Sequence, residues 1–490
     1  MFKSGTAVTI FSATFLAVGG FLFGYDSGII SSVIALPTFI DYFHNPSDQI
    51  DGGIVSSFQG GAVLGTIINM LFADKLGRKR TILLGAVTSV VGSALQSGAA
   101  AMVMLIIGRF IGGVAVGILT STIPMYASEL SMPKWRGALS GLLQWFLSWG
   151  FLVAQWLGYG ASFSKTAFSW RFPLGFQIVP ALIIISGVWF LQESPRWLME
   201  KDRHEEAKEV LRKLRAGSDS EQIELEFNEI RDVIIADREI AKVNTMSIIL
   251  KPTWRKRLIL GCAIQAFGPL SGINVINYYG PRIYKILGID THTSLMIIGI
   301  SGALSIVYCT IGLYLLDKVG RIKPLIVSAF GLAAALLVNA VQAQYLNENN
   351  ANQLRSMVAM NFVFSLFYTP LGIISWVYPA EIFPVEVRAL GNALTTFTNW
   401  VINLIFAQFT PQALSSVGFK YFYLFFVFNL IAGVSYWIFF PETKGRTLEQ
   451  MDALFGDQLV PHALDDPEGA AAAMAKEARI TQHVEHDDKV

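Results

Sequence analysis

The stretch Asp74-Lys75-Leu76-Gly77-Arg78-Lys79 returns later in the chain as Asp317-Lys318-Val319-Gly320-Arg321-Ile322. Both copies follow a long apolar run. Two more pairs recur in the same order. Glu129-Leu130 with Arg136-Gly137 answers to Glu381-Ile382-Phe383-Pro384 with Arg388. Glu193-Ser194-Pro195-Arg196 answers to Pro441-Glu442-Thr443-Lys444-Gly445. In every pair the second copy comes six apolar runs after the first. A repeat that keeps both order and spacing reads as a duplicated unit, so the chain is expected to consist of two homologous halves.

A helix needs about 20 mostly apolar residues to cross a bilayer. Twelve runs qualify: 8–34, 53–73, 81–99, 102–123, 138–160, 173–191, 257–286, 294–316, 324–344, 356–379, 390–411 and 421–440. The 490 residues are 53% hydrophobic and 15% charged, more apolar and less charged than soluble domains. The expected fold class is an all-α membrane protein of twelve transmembrane helices in two six-helix halves. The expected layout is 1–192 for the N-terminal half, 193–256 for a cytosolic helical linker, 257–440 for the C-terminal half and 441–490 for a mostly disordered cytosolic tail. Within the linker, 204–215 and 220–242 alternate apolar and charged residues at helical spacing. A solvated linker accounts for this better than a catalytic domain. The first run follows Lys3 and lacks a small-residue cleavage site, so it reads as a span and not as a removed signal.

Lys and Arg set the orientation. Lys75, Arg78, Lys79 and Arg80 follow span 2, Lys134 and Arg136 follow span 4, and Lys318, Arg321 and Lys323 follow span 8. The first loop on the other side has Asp41, Asp48 and Asp51 and no Lys or Arg. Both termini and the linker are therefore expected in the cytosol, with the plasma membrane as the expected location. Asn45 is followed by Pro46, so no N-glycan acceptor exists. Cys262 and Cys309 lie in apolar runs and read as small core residues, not a disulfide framework. A net charge of +1 gives no reason to expect nucleic acid as a partner. No phosphate-binding loop and no metal-spaced His or Cys cluster occurs, so neither an enzyme, a cofactor nor a metal is expected.

One residue breaks the apolar pattern. Asp26 lies in Phe23-Gly24-Tyr25-Asp26-Ser27-Gly28, inside the apolar run 10–34. A carboxylate at mid-membrane costs about 3 kcal/mol on insertion scales and marks a functional site by default. Carrying a proton or holding a cation is the expected job.

Taken together, these strings resemble the sugar porter family of the major facilitator superfamily. The resemblance covers roughly residues 8–450 and rests on an ordered set: Gly77-Arg78-Lys79, Arg109 in Gly108-Arg109-Phe110-Ile111-Gly112-Gly113, and Pro124-Met125-Tyr126-Ala127-Ser128-Glu129. It continues through Glu193-Ser194-Pro195-Arg196-Trp197, Ser271-Gly272-Ile273-Asn274, the stretch from Trp376 to Pro384, and Pro441 to Arg446. Asn277-Tyr278-Tyr279-Gly280-Pro281 has the flavour of filamentous-fungal members. The family implies parallel repeats with the substrate at their interface near the midplane.

The resemblance also implies roles. Asp26 and Arg109 fall on the proton-coupling pair. An Arg moving toward or away from a buried carboxylate would switch its hold on a proton; the bland reading is a static pair that orders two helices, and some family members keep this Asp and are uniporters. Gln144, Asn274, Trp376, Asn399 and Trp400 fall on sugar-binding positions. Amides suit vicinal hydroxyls and an indole suits the C–H face of a sugar, although one amide alone could be helix glue and Trp376 alone core filler. Arg78, Glu129, Arg136, Glu193, Arg321, Glu381, Arg388 and Glu442 fall on cytosolic gate clusters that join the halves. Exposed pairs are individually worth ~0–1 kcal/mol, so the network is what would matter.

Two departures stand out. Met70 replaces the Gly usual four residues before Asp74, which puts close helix approach there in doubt. Gly268-Pro269 replaces a usual Gln-Gln pair, so span 7 should break there and two sugar-binding amides are lost. Gln265, one turn earlier, and Asn277, one turn after Asn274, are the substitutes to expect. The reading is a monomeric monosaccharide transporter working by proton symport. Facilitated uniport is the alternative, and a transporter-like sensor is a lesser one, since the tail shows no signalling motif.

Overall fold

The structure, a computed structural model, describes residues 5–130, 136–216, 220–240, 251–345, 351–383, 387–444, 451 and 454–455. The first half contains Gly5–Val33, Asp48–Leu76, Arg78–Ser97, Met102–Leu130, Arg136–Ala161 and a sixth span made of Phe168–Phe176 and Ile178–Gly187. The second half begins with a seventh span made of Pro252–Leu270 and Ile273–Ile286. Thr291–Val319, Ile322–Gln344, Ala351–Ile382, Arg388–Val417 and Tyr421–Phe439 follow. This is the twelve-helix major facilitator fold. Among the described residues, length and hydropathy alone pick out nine stretches, one of which, Leu390–Phe439, holds both spans 11 and 12. Spans 3 and 5 fall short through their Arg, Gln, Ser and Gly content.

The buried faces of these helices are not simply apolar. Ser31, Ser32, Gln59, Thr66, Ser93, Gln96 and Gln155 are all buried in the first half. Lipid tails are as apolar as Leu, so close packing and hydrogen bonds hold membrane helices together. Gln155 of span 5 donates to the Gly28 carbonyl at 2.8 Å and to Ser31 at 3.1 Å, and accepts from Ser32 at 3.0 Å, which ties span 5 to span 1. Spans 2 and 4 touch backbone to backbone. A Cβ on Gly61 would lie 2.0 Å from the Phe110 carbonyl oxygen, and one on Gly113 would lie 2.0 Å from that of Phe58. Spans 2 and 4 therefore approach closely earlier in span 2, more than two turns before Met70.

Span 7 breaks one turn later than Pro269 suggested. Pro269 lies inside the first segment, and the chain turns at Gly272, whose φ of +91° suits a residue without a Cβ. In the central polar stretch, Pro195–Glu200, His204–Leu214 and Ser220–Ile240 are helical. His204–Leu214 buries Ala207, Val210, Leu211 and Leu214, the i, i+3, i+4, i+7 stripe of an amphipathic helix. Arg215 anchors it by donating to the Leu130 carbonyl at the end of span 4, 3.2 Å away. The tail expected to be mostly disordered lies largely outside the described residues. Its start is packed: Met451 and Phe455 are buried, and the Arg257 guanidinium sits 4.6 Å from the Phe455 ring. Cys262 and Cys309 are free thiols.

Candidate functional site

Asp26 and Arg109 meet in the middle of the first half. Nη1 of Arg109 donates to Oδ1 of Asp26 at 3.1 Å and to its backbone oxygen at 3.4 Å. Both side chains are shut off from solvent, at 1% and 0% exposure. Oδ2 of Asp26 and Nε and Nη2 of Arg109 have no partner among the described residues. The guanidinium instead lies over the Phe58 ring, 4.5 Å from its centroid. An Arg cannot shed its charge, so burial here requires the carboxylate and the ring. Spans 1, 2 and 4 supply one group each, and the glycine contact between spans 2 and 4 brings Phe58 and Arg109 together.

The second half holds a chain of amides. Asn274 donates to Asn403. Asn403 donates to Oδ1 of Asn399 at 3.0 Å, Asn399 to Oε1 of Gln265 at 2.8 Å, and Gln265 to the Ser375 carbonyl at 2.9 Å. Four side chains from spans 7 and 11 thus end on span 10. Gln265 is fully buried, and its amide both donates and accepts within this chain. Gly268 does face this chain: a Cβ there would come 3.6 Å from Nδ2 of Asn399. Asn277 is half-buried with no hydrogen-bond partner among the described residues. Gln144 reaches span 10, its Nε2 lying 3.5 Å from where a Cβ on Gly372 would be. Trp376 is half-buried. Trp400 is fully buried and crosses to the first half, edge-on to Phe23 at 5.2 Å and to Phe58 at 6.4 Å.

The charged groups at the linker end meet within each half, Arg78 beside Glu129 and Glu193 and Arg321 beside Glu381 and Glu442. Arg78 grips Glu129 with two bonds of 2.9 and 3.1 Å, and Arg321 grips Glu381 with two of 2.8 and 3.2 Å. These pairs join spans inside one half. Glu193 and Glu442 serve as helix caps. Glu193 accepts the backbone N–H of Arg78 at 3.1 Å, and Glu442 those of Arg321 and Ile322 at 2.9 and 3.0 Å. Each carboxylate thus sits at the positive N-terminal end of a span. Burial pushes the Glu193 carboxyl above the usual range, against the N–H groups of Ser194, Lys79 and Arg78. At Glu442 burial acts the same way, but donors from Ile322, Arg321, Lys444 and Thr443 outweigh it and leave that carboxyl below the usual range. The side chains of Arg136 and Arg388 lie outside the described ones.

The two halves are bonded to each other at the opposite end. Arg282 of span 7 pairs with Asp48 and, at 3.6 Å, with Asp51 of span 2. Ser415 of span 11 donates to Asp48, and Ser56 donates to Gln408 at 2.6 Å.

The profile of the family described as "Sugar (and other) transporter" matches residues 12–455. The chain belongs to this family. A high-affinity glucose transporter of Kluyveromyces lactis is 34% identical over 463 residues, covering 90% of this chain and 84% of that protein. The high glucose sensor RGT2 of Saccharomyces cerevisiae is 32% identical, with 91% of this chain matching 61% of the sensor. The fold is also that of the proton:xylose symporter XylE bound to 6-bromo-6-deoxy-D-glucose, with a TM-score of 0.79 at 24% identity, covering 92% of this chain and 100% of that one. This sugar-transporter chain also carries site groups that sequence reading passed over. Asn403 sits one helical turn from Asn399, a spacing that was legible. Phe58, Gln59 and Tyr278 look like ordinary core residues in sequence. In the structure Gln59 is fully buried with neither amide atom partnered among the described residues, and the Tyr278 hydroxyl faces Gln59, Ser27 and Arg109.

Proposed function

We propose that this chain takes up a monosaccharide across the plasma membrane by proton symport, as a monomer with both termini in the cytosol. The observation that carries the reading is the buried Asp26–Arg109 pair of the first half, together with the amide chain of the second. In the proposed cycle the sugar binds between the halves, against Gln144, Asn274, Asn399, Trp376 and Trp400. Asp26 takes a proton from outside, and Arg109 is then released from its partner. Rocking of the halves opens the cytosolic side, where Arg78, Glu129, Arg321 and Glu381 hold the span ends and Arg136 and Arg388 complete the gate. The proton leaves as Arg109 returns. Uptake against a gradient is feasible because one charge crossing 100 mV supplies ~2.3 kcal/mol. The glucose-transporter relative points to hexose as the first substrate to test.

The alternative is facilitated diffusion. In that reading the same buried pair is a static brace between spans 1 and 4. The deciding experiment is uptake in a transport-deficient host of D-glucose, D-galactose, D-xylose and a polyol, with and without a protonophore. Symport requires accumulation that the protonophore abolishes; equilibration insensitive to it means uniport.

A further inference from the structure

The ring of Phe58 touches two sites at once. Its face carries the Arg109 guanidinium at 4.5 Å, and its edge meets Trp400 of the other half at 6.4 Å and 76°. All three side chains are fully buried. We propose that Phe58 is the positioning residue that links sugar occupancy to the proton on Asp26, holding Arg109 beside the carboxylate while Trp400 is seated against it. The inference rests on the symport reading above.

The backbone at Phe58 is fixed. A Cβ on Gly113 would lie 2.0 Å from the Phe58 carbonyl oxygen, so span 2 has no room to shift toward span 4 at this level. Only the ring can respond to a change in its neighbours. Arg109 depends on that ring: two of its three nitrogens have no acceptor among the described residues, and a cation over an aromatic face is held most strongly where water is excluded. Trp400 is 1% exposed and wedged against Phe23 and Phe58. A sugar bound at Trp400 between the halves has to part these rings. The Phe58 ring then turns, the guanidinium loses its platform, and the Asp26 carboxylate loses its close cation and favours its protonated form. Sugar and proton therefore assist each other's binding, and by linkage the assistance is mutual. The other titratable groups around the pair are Tyr25 beside Asp26, and Tyr278 and Tyr279 near Arg109; the variants below leave all of them in place.

The test uses the full-length protein in liposomes. The pH of half-maximal proton dependence is measured with and without the sugar taken up fastest among D-glucose, D-galactose and D-xylose. In the parent, sugar moves this midpoint to higher pH. Phe58→Leu removes the ring face and keeps an apolar, though smaller, side chain. Its sugar-free midpoint is expected to sit already at higher pH, with the sugar-dependent shift reduced roughly tenfold in proton concentration. Phe58→Tyr keeps the face and is expected to keep the shift. A full sugar-dependent shift in Phe58→Leu overturns the inference, as does its loss in Phe58→Tyr to the same extent. Asp26→Asn runs alongside. If Asp26→Asn keeps the parent's proton dependence, the symport reading itself fails, and this inference fails with it.

Discussion

Replacing Asp26 by Asn tests the coupling site most directly. Among the described residues, Asp26 is the one carboxylate more than a turn from either end of a membrane span. In the proposed symport, one carboxylate at the site means one proton, and so one charge, per sugar. At a potential of 100 mV that charge supplies ~2.3 kcal/mol, which sets a ceiling of roughly fiftyfold accumulation. Asn fills the same space and can still face Arg109 through its amide oxygen, but it cannot take or release a proton. Accumulation should fall to equilibration, a ratio of about one, while exchange of labelled for unlabelled sugar continues in part. The measurement is the steady-state ratio of internal to external sugar in energised vesicles, beside counterflow in de-energised ones, at matched surface expression. Protonophore-sensitive accumulation near the parent's ceiling in Asp26→Asn would refute the assignment.

Three further outcomes follow from the geometry. Gly268→Gln sets an amide against Asn399, so competition assays should show a changed rank order of sugars; an unchanged order would place span 7 at this point outside the sugar site. Arg282→Asp removes the bridge between spans 7 and 2 and should raise labelling of cysteines placed at that end, while Arg282→Asp with Asp48→Arg should lower it again; equal labelling in both would show that the charges do not latch the halves. Glu442→Gln bears on stability. The folded-state carboxyl is held low, so its contribution is present above the usual carboxylate range and is lost as pH falls through and below it. The variant should melt earlier than the parent at pH 7, and the gap should close in acid; a gap that widens in acid would contradict the cap.

The sequence by itself determined the fold. The repeated Asp-Lys-x-Gly-Arg strings, twelve apolar runs and one polar insert left little choice, because lipid admits only helices and closed barrels, and continuous apolar runs of about 20 residues suit helices. It also singled out Asp26, since a charge in an apolar run stands out without any coordinates. What it could not show was which partner each polar group would take. Glu193 and Glu442 read as gate salt bridges, yet they cap spans 3 and 9, because a carboxylate at a helix N-terminus is decided by where chain ends meet in space. That Gln265 would bond Asn399 and the Ser375 carbonyl was likewise not written in the chain. Phe58 carried no signal at all: a phenylalanine in an apolar helix is indistinguishable from core until a guanidinium from span 4 and an indole from span 11 are placed on it. Hydropathy is a property of a segment and can be read along the chain. Pairing is a property of distances between segments, and those distances were set by backbone contacts such as that of Gly113 with Phe58, which only the packed helices reveal.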